Sequence, residues 1–247
     1  MTASGRNYHD RVNPDLLAMI PVSARMVLEV GCGTGALGVE FLRLQPQARY
    51  YGIEMNEEAA ATARTRLAGA ACCDIELDWN PHGLAAGSLD ALVFGDVLEH
   101  LRDPWATLSR LSGLLRDGGM AVACIPNIGH WSIVAGLLAG RFDYAEEGLL
   151  DRTHLRFFTL PSMVDLFRRA GLNPLEARGR RLPALNRGLD GFLGAAAPLS
   201  QFLGVSPETL QRNLSAFQYV ITATKGPVTT SATPQDSATG SSPSHPA

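Results

Sequence analysis

Two groups of residues have types and spacing suited to chemistry. The first is Asp96, Glu99 and His100. At the start of a helix, positions three and four apart share a face, so these side chains would converge. Carboxylate and imidazole together can hold Mg²⁺, Mn²⁺ or Zn²⁺. Alternatively, an imidazole alone can serve as a general base. His130 and His154 are further candidates for that base, in Gly129-His130-Trp131 and in His154-Leu-Arg-Phe-Phe-Thr159. A third reading of His100, His130 and His154 is structural, as hydrogen-bonding members of neighbouring loops. The second group is Glu29-Val-Gly31-Cys-Gly33-Thr-Gly35. Glycine admits backbone angles that other residues avoid, and it lets a ligand approach bare backbone. The helix that follows offers unpaired N–H groups and a partial positive charge to an anionic group.

The elements that position these residues alternate between strand and helix. Apolar Met26 to Val30 reads as a buried parallel strand, followed by the glycine turn and a helix carrying Leu37, Val39, Phe41 and Leu42. Residues 48–54 form a second strand ending at Glu54. That acid either accepts from both hydroxyls of a ribose or caps the helix at 56–68. A short third strand covers 70–74 and ends on Asp74. The fourth, 87–96, delivers Asp96. A helix at 104–116 follows, with Trp105, Leu108, Leu111 and Leu115 as its apolar stripe, then a turn at 116–119 and a fifth strand at 120–125. Earlier, a helix at 8–20 precedes the first strand. Later come a helix at 161–170, a sixth strand at 172–177, a short helix at 207–213 and a last strand at 217–224. Apolar, aromatic residues 128–150 break the alternation and read as a lid or an extra packed helix. In an open parallel sheet, a ligand lies beyond the carboxyl ends of the strands, which is where Asp96 to His100 fall.

The glycine loop can be aligned in two ways. Gly33-Thr-Gly35-Ala-Leu-Gly38 fits the dinucleotide fingerprint G-x-G-x-x-G. Alternatively, Glu29 begins an acid-x-Gly-x-Gly-x-Gly run, and a dinucleotide's phosphates would be repelled by that acid. Val-Leu-Glu-Val-Gly-Cys-Gly-Thr-Gly closely resembles the first motif of class I methyltransferases that use S-adenosylmethionine. The later "Asp-Val-Leu-Glu-His-Leu", "Leu-Leu-Arg-Asp-Gly-Gly" and "Ile-Pro-Asn" follow the family's succession. Pro126 to Trp131 and Gly148 to Thr159 resemble a bacterial subgroup related to ubiquinone-biosynthesis O-methyltransferases and methionine-biosynthesis methyltransferase-like proteins.

The resemblance implies an α/β, Rossmann-like sheet of seven strands. Six are parallel, the last is inserted antiparallel, helices lie on both faces, and a lid spans about 128–160. It implies that Glu29, Gly31, Gly33, Gly35 and Glu54 hold S-adenosylmethionine, with Asp96 beside its reactive end. Asp74 would meet the adenine amino group, or else be a solvated turn acid. Tyr8 and Arg11 fall where relatives cover the cofactor, or are surface residues. Small-RNA 2′-O-methyltransferases carry Glu-x-x-Glu-His and a later His that bind a divalent ion. Here Asp96, Glu99, His100 and His154 would correspond, Asp96 being shorter by one methylene than the Glu it replaces. Asp151 and Tyr144 are candidates for touching acceptor hydroxyls.

The chain of 247 residues suits one domain over 1–225, with a mobile segment at about 183–205 that covers substrate or joins two copies as a homodimer. Residues 226–247, rich in Ser, Thr, Pro and Ala, are expected to be a disordered tail. A net charge of −3 gives no electrostatic footprint for nucleic acid. Cys32, Cys72, Cys73 and Cys124 form no metal-binding pair and suit a reducing, cytoplasmic setting. No apolar run is long enough to cross a membrane. The expected activity is methylation of a hydroxyl on a small molecule or glycan. Two readings compete with it: a non-catalytic protein that binds adenosylmethionine, and an NAD(P)-dependent oxidoreductase.

Overall fold

The computed structural model describes residues 10–182, 186 and 188–226. Tyr8 and the segment 227–247 lie outside the described residues. Strands β1 (Met26–Val30), β2 (Arg49–Glu54), β3 (Gly69–Cys72), β4 (Leu89–Gly95), β5 (Leu115–Pro126), β6 (Leu172–Arg180) and β7 (Gln218–Lys225) form one sheet. Their order is β3-β2-β1-β4-β5-β7-β6. β7 runs antiparallel to both β5 and β6, and the other six strands are parallel. This is the expected α/β sheet with its antiparallel insertion.

Alternate strand residues feed two cores. Leu28, Val30, Leu92 and Phe94 pack on one face, against Leu108, Leu111, Met163 and Phe167. Val27, Ala91, Val93 and Val122 pack on the other, against Leu16, Leu37 and Phe41. Adjacent strand residues point to opposite faces, so an uninterrupted apolar run signals helices on both sides.

The helices are α1 (Pro14–Leu17), α2 (Ala36–Leu44), α3 (Glu57–Arg64), α4 (Pro104–Ser112), α5 (Trp131–Leu138), α6 (Leu160–Arg169), α7 (Leu189–Leu203) and α8 (Pro207–Ser215). Local chemistry starts them. The side chains of Asn13, Asn56, Asp103 and Ser206 accept from backbone N–H groups in the first turns of α1, α3, α4 and α8. Thr159 and Ser162 form a reciprocal capping box on α6.

Several boundaries differ from the sequence expectation. The helix expected at 8–20 is the four-residue α1. Beyond it the bonds tighten to three-residue spacing, Met19 N to Leu16 O and Ile20 N to Leu17 O. The helix expected at 104–116 stops at Ser112, with Gly113 at its C-cap. The turn at 116–119 lies inside β5 as an irregularity, because Leu89 pairs with Leu115 whereas Ala91 pairs with Met120. Arg116 fastens it by donating to Asp90 at 2.6 Å. Within 183–205 the structure forms α7, bounded by left-handed Gly188 and Gly204 and containing Pro198. The 128–160 stretch holds α5, then irregular chain with two isolated bridges, Ala145 to Asp151 and Phe158 to Asn127.

Candidate functional site

The glycine loop leaves β1 in the left-handed region, with φ of 74° at Gly31, 54° at Gly33 and 81° at Gly35. Side chains resist these angles, and at Gly31 there is also no space. A Cβ there would stand 2.2 Å from Val97 Cγ2. Gly35 is the N-cap of α2 and makes no side-chain cap, so the N–H groups of that helix's first turn face the loop. Gly31 N and Cys32 N donate to Ile53 O, tying the loop to β2.

The two acids beside the loop divide the work. Glu54 Oε2 accepts from Gly33 N and Oε1 from Asn56 N, both at 2.9 Å. Asn56 caps α3, so Glu54 is left to brace the loop. Glu29 is buried and accepts from the Tyr50 hydroxyl at 3.0 Å. Burial pushes its carboxyl up to about 8, with the charge of Glu54 adding to the effect. Asp74 is held twice: Oδ1 accepts from Glu76 N at 2.9 Å, and Oδ2 pairs with Arg102 at 2.7 Å.

Asp96 does not begin a helix. It has φ 53°, in the left-handed region, and its carboxylate accepts from the Gln218 amide. Leu98–His100 then forms a single 3₁₀ turn. Glu99, His100 and His154 each bring one ligand-type atom within 4.8 Å of the others. Asp96 is not in that set, so the face-sharing geometry expected of a helix start does not bring all three residues together. Both Glu99 carboxylate oxygens are buried without a hydrogen-bond partner. Burial, with Asp96 nearby, pushes this carboxyl well above its usual range.

The two histidines face each other at 4.8 Å between ring centroids. His154 Nδ1 lies 3.3 Å from Leu149 O, and His100 Nδ1 lies 3.2 Å from Thr153 O. A carbonyl can only accept, so Nδ1 carries the proton in each ring and Nε2 keeps its lone pair. Asp151 is one step behind, accepting from Thr153 N and Oγ1 at 2.7 Å, and Thr153 Oγ1 lies 3.1 Å from His100 Nδ1.

The family model described as a methyltransferase domain matches residues 28–121. An uncharacterised methyltransferase of Mycobacterium tuberculosis (strain ATCC 25618 / H37Rv) is 31% identical over 128 residues, covering 50% of this chain and 64% of that protein. The chain thus matches slightly less than two thirds of the mycobacterial protein's length. A ubiquinone biosynthesis O-methyltransferase of Cereibacter sphaeroides (strain KD131 / KCTC 12085) is 27% identical over 169 residues, or 67% of each chain. The crystal structure of an S-adenosylmethionine-dependent methyltransferase from Archaeoglobus fulgidus superposes with TM-score 0.59. It covers 89% of this chain and 94% of that one at 18% identity, a likeness of fold.

The chain is similar to the class I S-adenosylmethionine-dependent methyltransferases, and its residues 28–121 match a methyltransferase domain.

The glycine loop fits the cofactor that this similarity implies. Three left-handed glycines and a helix N-terminus without a side-chain cap stand beside the buried acids Glu29 and Glu54, the latter bonded to Gly33 N. The remaining candidate residues are dispersed. His130 is fully buried and both ring nitrogens are engaged: Nδ1 with Ser132 Oγ at 2.9 Å, Nε2 with Asn186 Oδ1 at 3.1 Å. It caps α5, and burial pushes its pKa down. Tyr144 is exposed and stacks edge-on against Phe142, which meets Phe157 in the same way. Arg11 is exposed beside Asp10. Sequence reading missed Thr153, Gln218 and Arg180. Only Gln218 gave a signal, as a polar residue opening an apolar strand.

Proposed function

We propose that this chain transfers a methyl group from S-adenosylmethionine to a hydroxyl of a small molecule or glycan, with a divalent cation beside that hydroxyl. The observation that carries this reading is the buried Glu99 carboxylate, unpartnered among the described residues, with a ligand-type nitrogen of each of two histidines within 4.8 Å. A buried carboxylate without a partner is costly, and a cation relieves that cost.

Bound adenosylmethionine supplies an already electrophilic methyl group. Gly31, Gly33, Gly35, Glu29 and Glu54 would hold it, with Asp96 at the end nearer the acceptor. Glu99, His100 and His154 would hold the cation, which lowers the pKa of a bound hydroxyl. The protein then has to orient the acceptor oxygen and exclude water, and positioning of that kind is worth effective molarities on the order of 10⁵–10⁸ M. The 128–160 segment serves as the lid, with Tyr144 and Asp151 toward the acceptor. Four unpaired cysteines support a cytoplasmic setting, and among the described residues no helix is long and apolar enough to cross a membrane.

The test is calorimetric. The purified chain is titrated with S-adenosylhomocysteine, with NAD as control, and then an acceptor panel is screened with Mg²⁺ and with excess chelator. Binding of the homocysteine product alone, with turnover lost in chelator, supports the reading. Turnover unaffected by chelator would leave His100 or His154 as a metal-free general base. Binding of NAD instead would overturn the cofactor assignment.

A further inference from the structure

A line of polar side chains runs from exposed Asp15 in the N-terminal segment, through half-buried Arg180 and buried Gln218, to half-buried Asp96. Arg180 Nε, at the end of β6, donates to Asp15 Oδ2 in α1 at 2.6 Å. Arg180 Nη1 also donates to Gln218 Oε1, and Gln218 Nε2 donates to Asp96 Oδ1. The polarity of this line is forced. A guanidinium only donates, so the Gln218 amide must turn its oxygen to Arg180 and its nitrogen to Asp96. Gln218 is 9% exposed, in a strand that is buried as far as Ala223. Buried polar groups of this kind fix geometry as much as they stabilise it.

What they fix is an unusual residue. Asp96 is the single described non-glycine residue with positive φ, a conformation that costs on the order of 1 kcal/mol and persists only when its surroundings impose it. Its neighbour Val97 fills the space beside Gly31, and a Cβ at Gly95 would stand 3.2 Å from Leu16 of α1. Asp96 therefore lies at the junction of glycine loop, 3₁₀ turn and N-terminal segment. A second clasp fastens the other end of that segment. Asp10 Oδ1 accepts from Thr34 Oγ1 at 2.6 Å and from Arg66 Nη1 at 2.9 Å.

We propose that Gln218 and Arg180 are positioning residues for the cofactor: they hold the Asp96 carboxylate so that its remaining acceptor sites meet a cationic or N–H-bearing part of the ligand, and Asp15 locks the N-terminal segment to the same line. This rests on the reading that the glycine loop takes adenosylmethionine. Gln218 engages the Asp96 carboxylate from β7, and Asp96 N donates to Cys124 O of β5 at 3.2 Å. An ionised carboxylate offers about four lone-pair sites, which leaves acceptor capacity for the ligand.

The test is a double-mutant cycle on the full chain, with S-adenosylhomocysteine affinity as readout and thermal unfolding as a check on folding. Asp96→Asn and Gln218→Leu should each weaken binding by about tenfold, the size of one charge-assisted hydrogen bond. The double variant should bind no worse than Asp96→Asn alone, because Gln218 acts through Asp96. Asp15→Asn, at the exposed end of the line, should weaken binding in the wild-type background and not with Asp96→Asn. It serves as the test if Gln218→Leu does not fold. Wild-type affinity in Gln218→Leu, or losses that multiply in the double variant, would overturn the proposal. If the wild-type chain itself does not bind S-adenosylhomocysteine, the cofactor reading fails first, and this proposal with it.

Discussion

Glu99 is buried as an acid, yet both of its oxygens lack protein partners. His154→Ala would remove one of the three candidate ligands around it. Mn²⁺ affinity should fall at least about tenfold, comparable with the effect of disturbing a ligand's support, while S-adenosylhomocysteine affinity stays within about twofold. Isothermal titration with each ligand separates the two effects; equal losses of both would argue against a distinct cation site. Gly31→Ala meets two obstacles at once, a left-handed φ and Val97 at 2.2 Å. It should cost about 2–4 kcal/mol of folding stability, measured by urea denaturation. Glu29 gives a pH signature. Its carboxyl titrates near 4.5 in the unfolded chain and at about 8 when folded. Between those values the native state binds more protons, so the stability linked to Glu29 is full below the lower value and lost as pH rises through the upper one. The slope reaches at most about 1.4 kcal/mol per pH unit. Glu29→Gln should flatten the urea midpoint between pH 5 and 8; an unchanged slope in that variant would contradict the assignment. The presence of these residues was legible in the sequence, but their partners were not. Glu29 and Glu54 stand at strand ends, which period and glycine spacing reveal. That Tyr50 claims one acid and Gly33 the other depends on which strands pair.

At the level of elements, α5 is held by a histidine rather than by the usual Ser, Thr, Asp or Asn. His130 joins Ser132 and Asn186, its ring meets Phe217 edge-on at 5.8 Å, and Trp131 packs against Phe192 of α7. His130→Ala removes a cap and a buried ring together and should cost about 2–4 kcal/mol. Limited proteolysis should then cut faster within 139–150, while a metal-site function would leave that rate unmoved. The starts of α3, α4 and α6 carry capping chemistry in Asn56, Asp103 with Pro104, and Thr159 with Pro161, although the cap of α3 was expected of Glu54. The helix α7 was not readable in this way. Its Gly, Ala and Pro content argues locally for loose chain, and tertiary contacts such as Trp131 with Phe192 override that tendency. The irregularity in β5 was likewise hidden, since Arg116 to Gly119 reads as a plain turn until β4 is placed beside it.

For the molecule as a whole, strand–helix alternation pointed to a parallel α/β sheet, while the antiparallel insertion of the last strand was expected from the family resemblance. The polar line from Asp15 to Asp96 had no such signal, because its members are 165 and 122 positions apart in their longest links. No window of sequence holds such a pair. The insertion of β7 has a consequence for synthesis. β6 hydrogen-bonds to β7 and to no other strand of the sheet. While a ribosome is still making residues 218–225, β6 has no neighbour, Arg180 has no amide to hold, and the Asp96 carboxylate lacks its link to Gln218. The parallel half of the sheet can assemble as it emerges, but the junction around Asp96 must wait. A nascent chain halted before residue 218 should therefore be compact yet blind to its ligand, and the acquisition of binding marks the last stage of folding rather than the first.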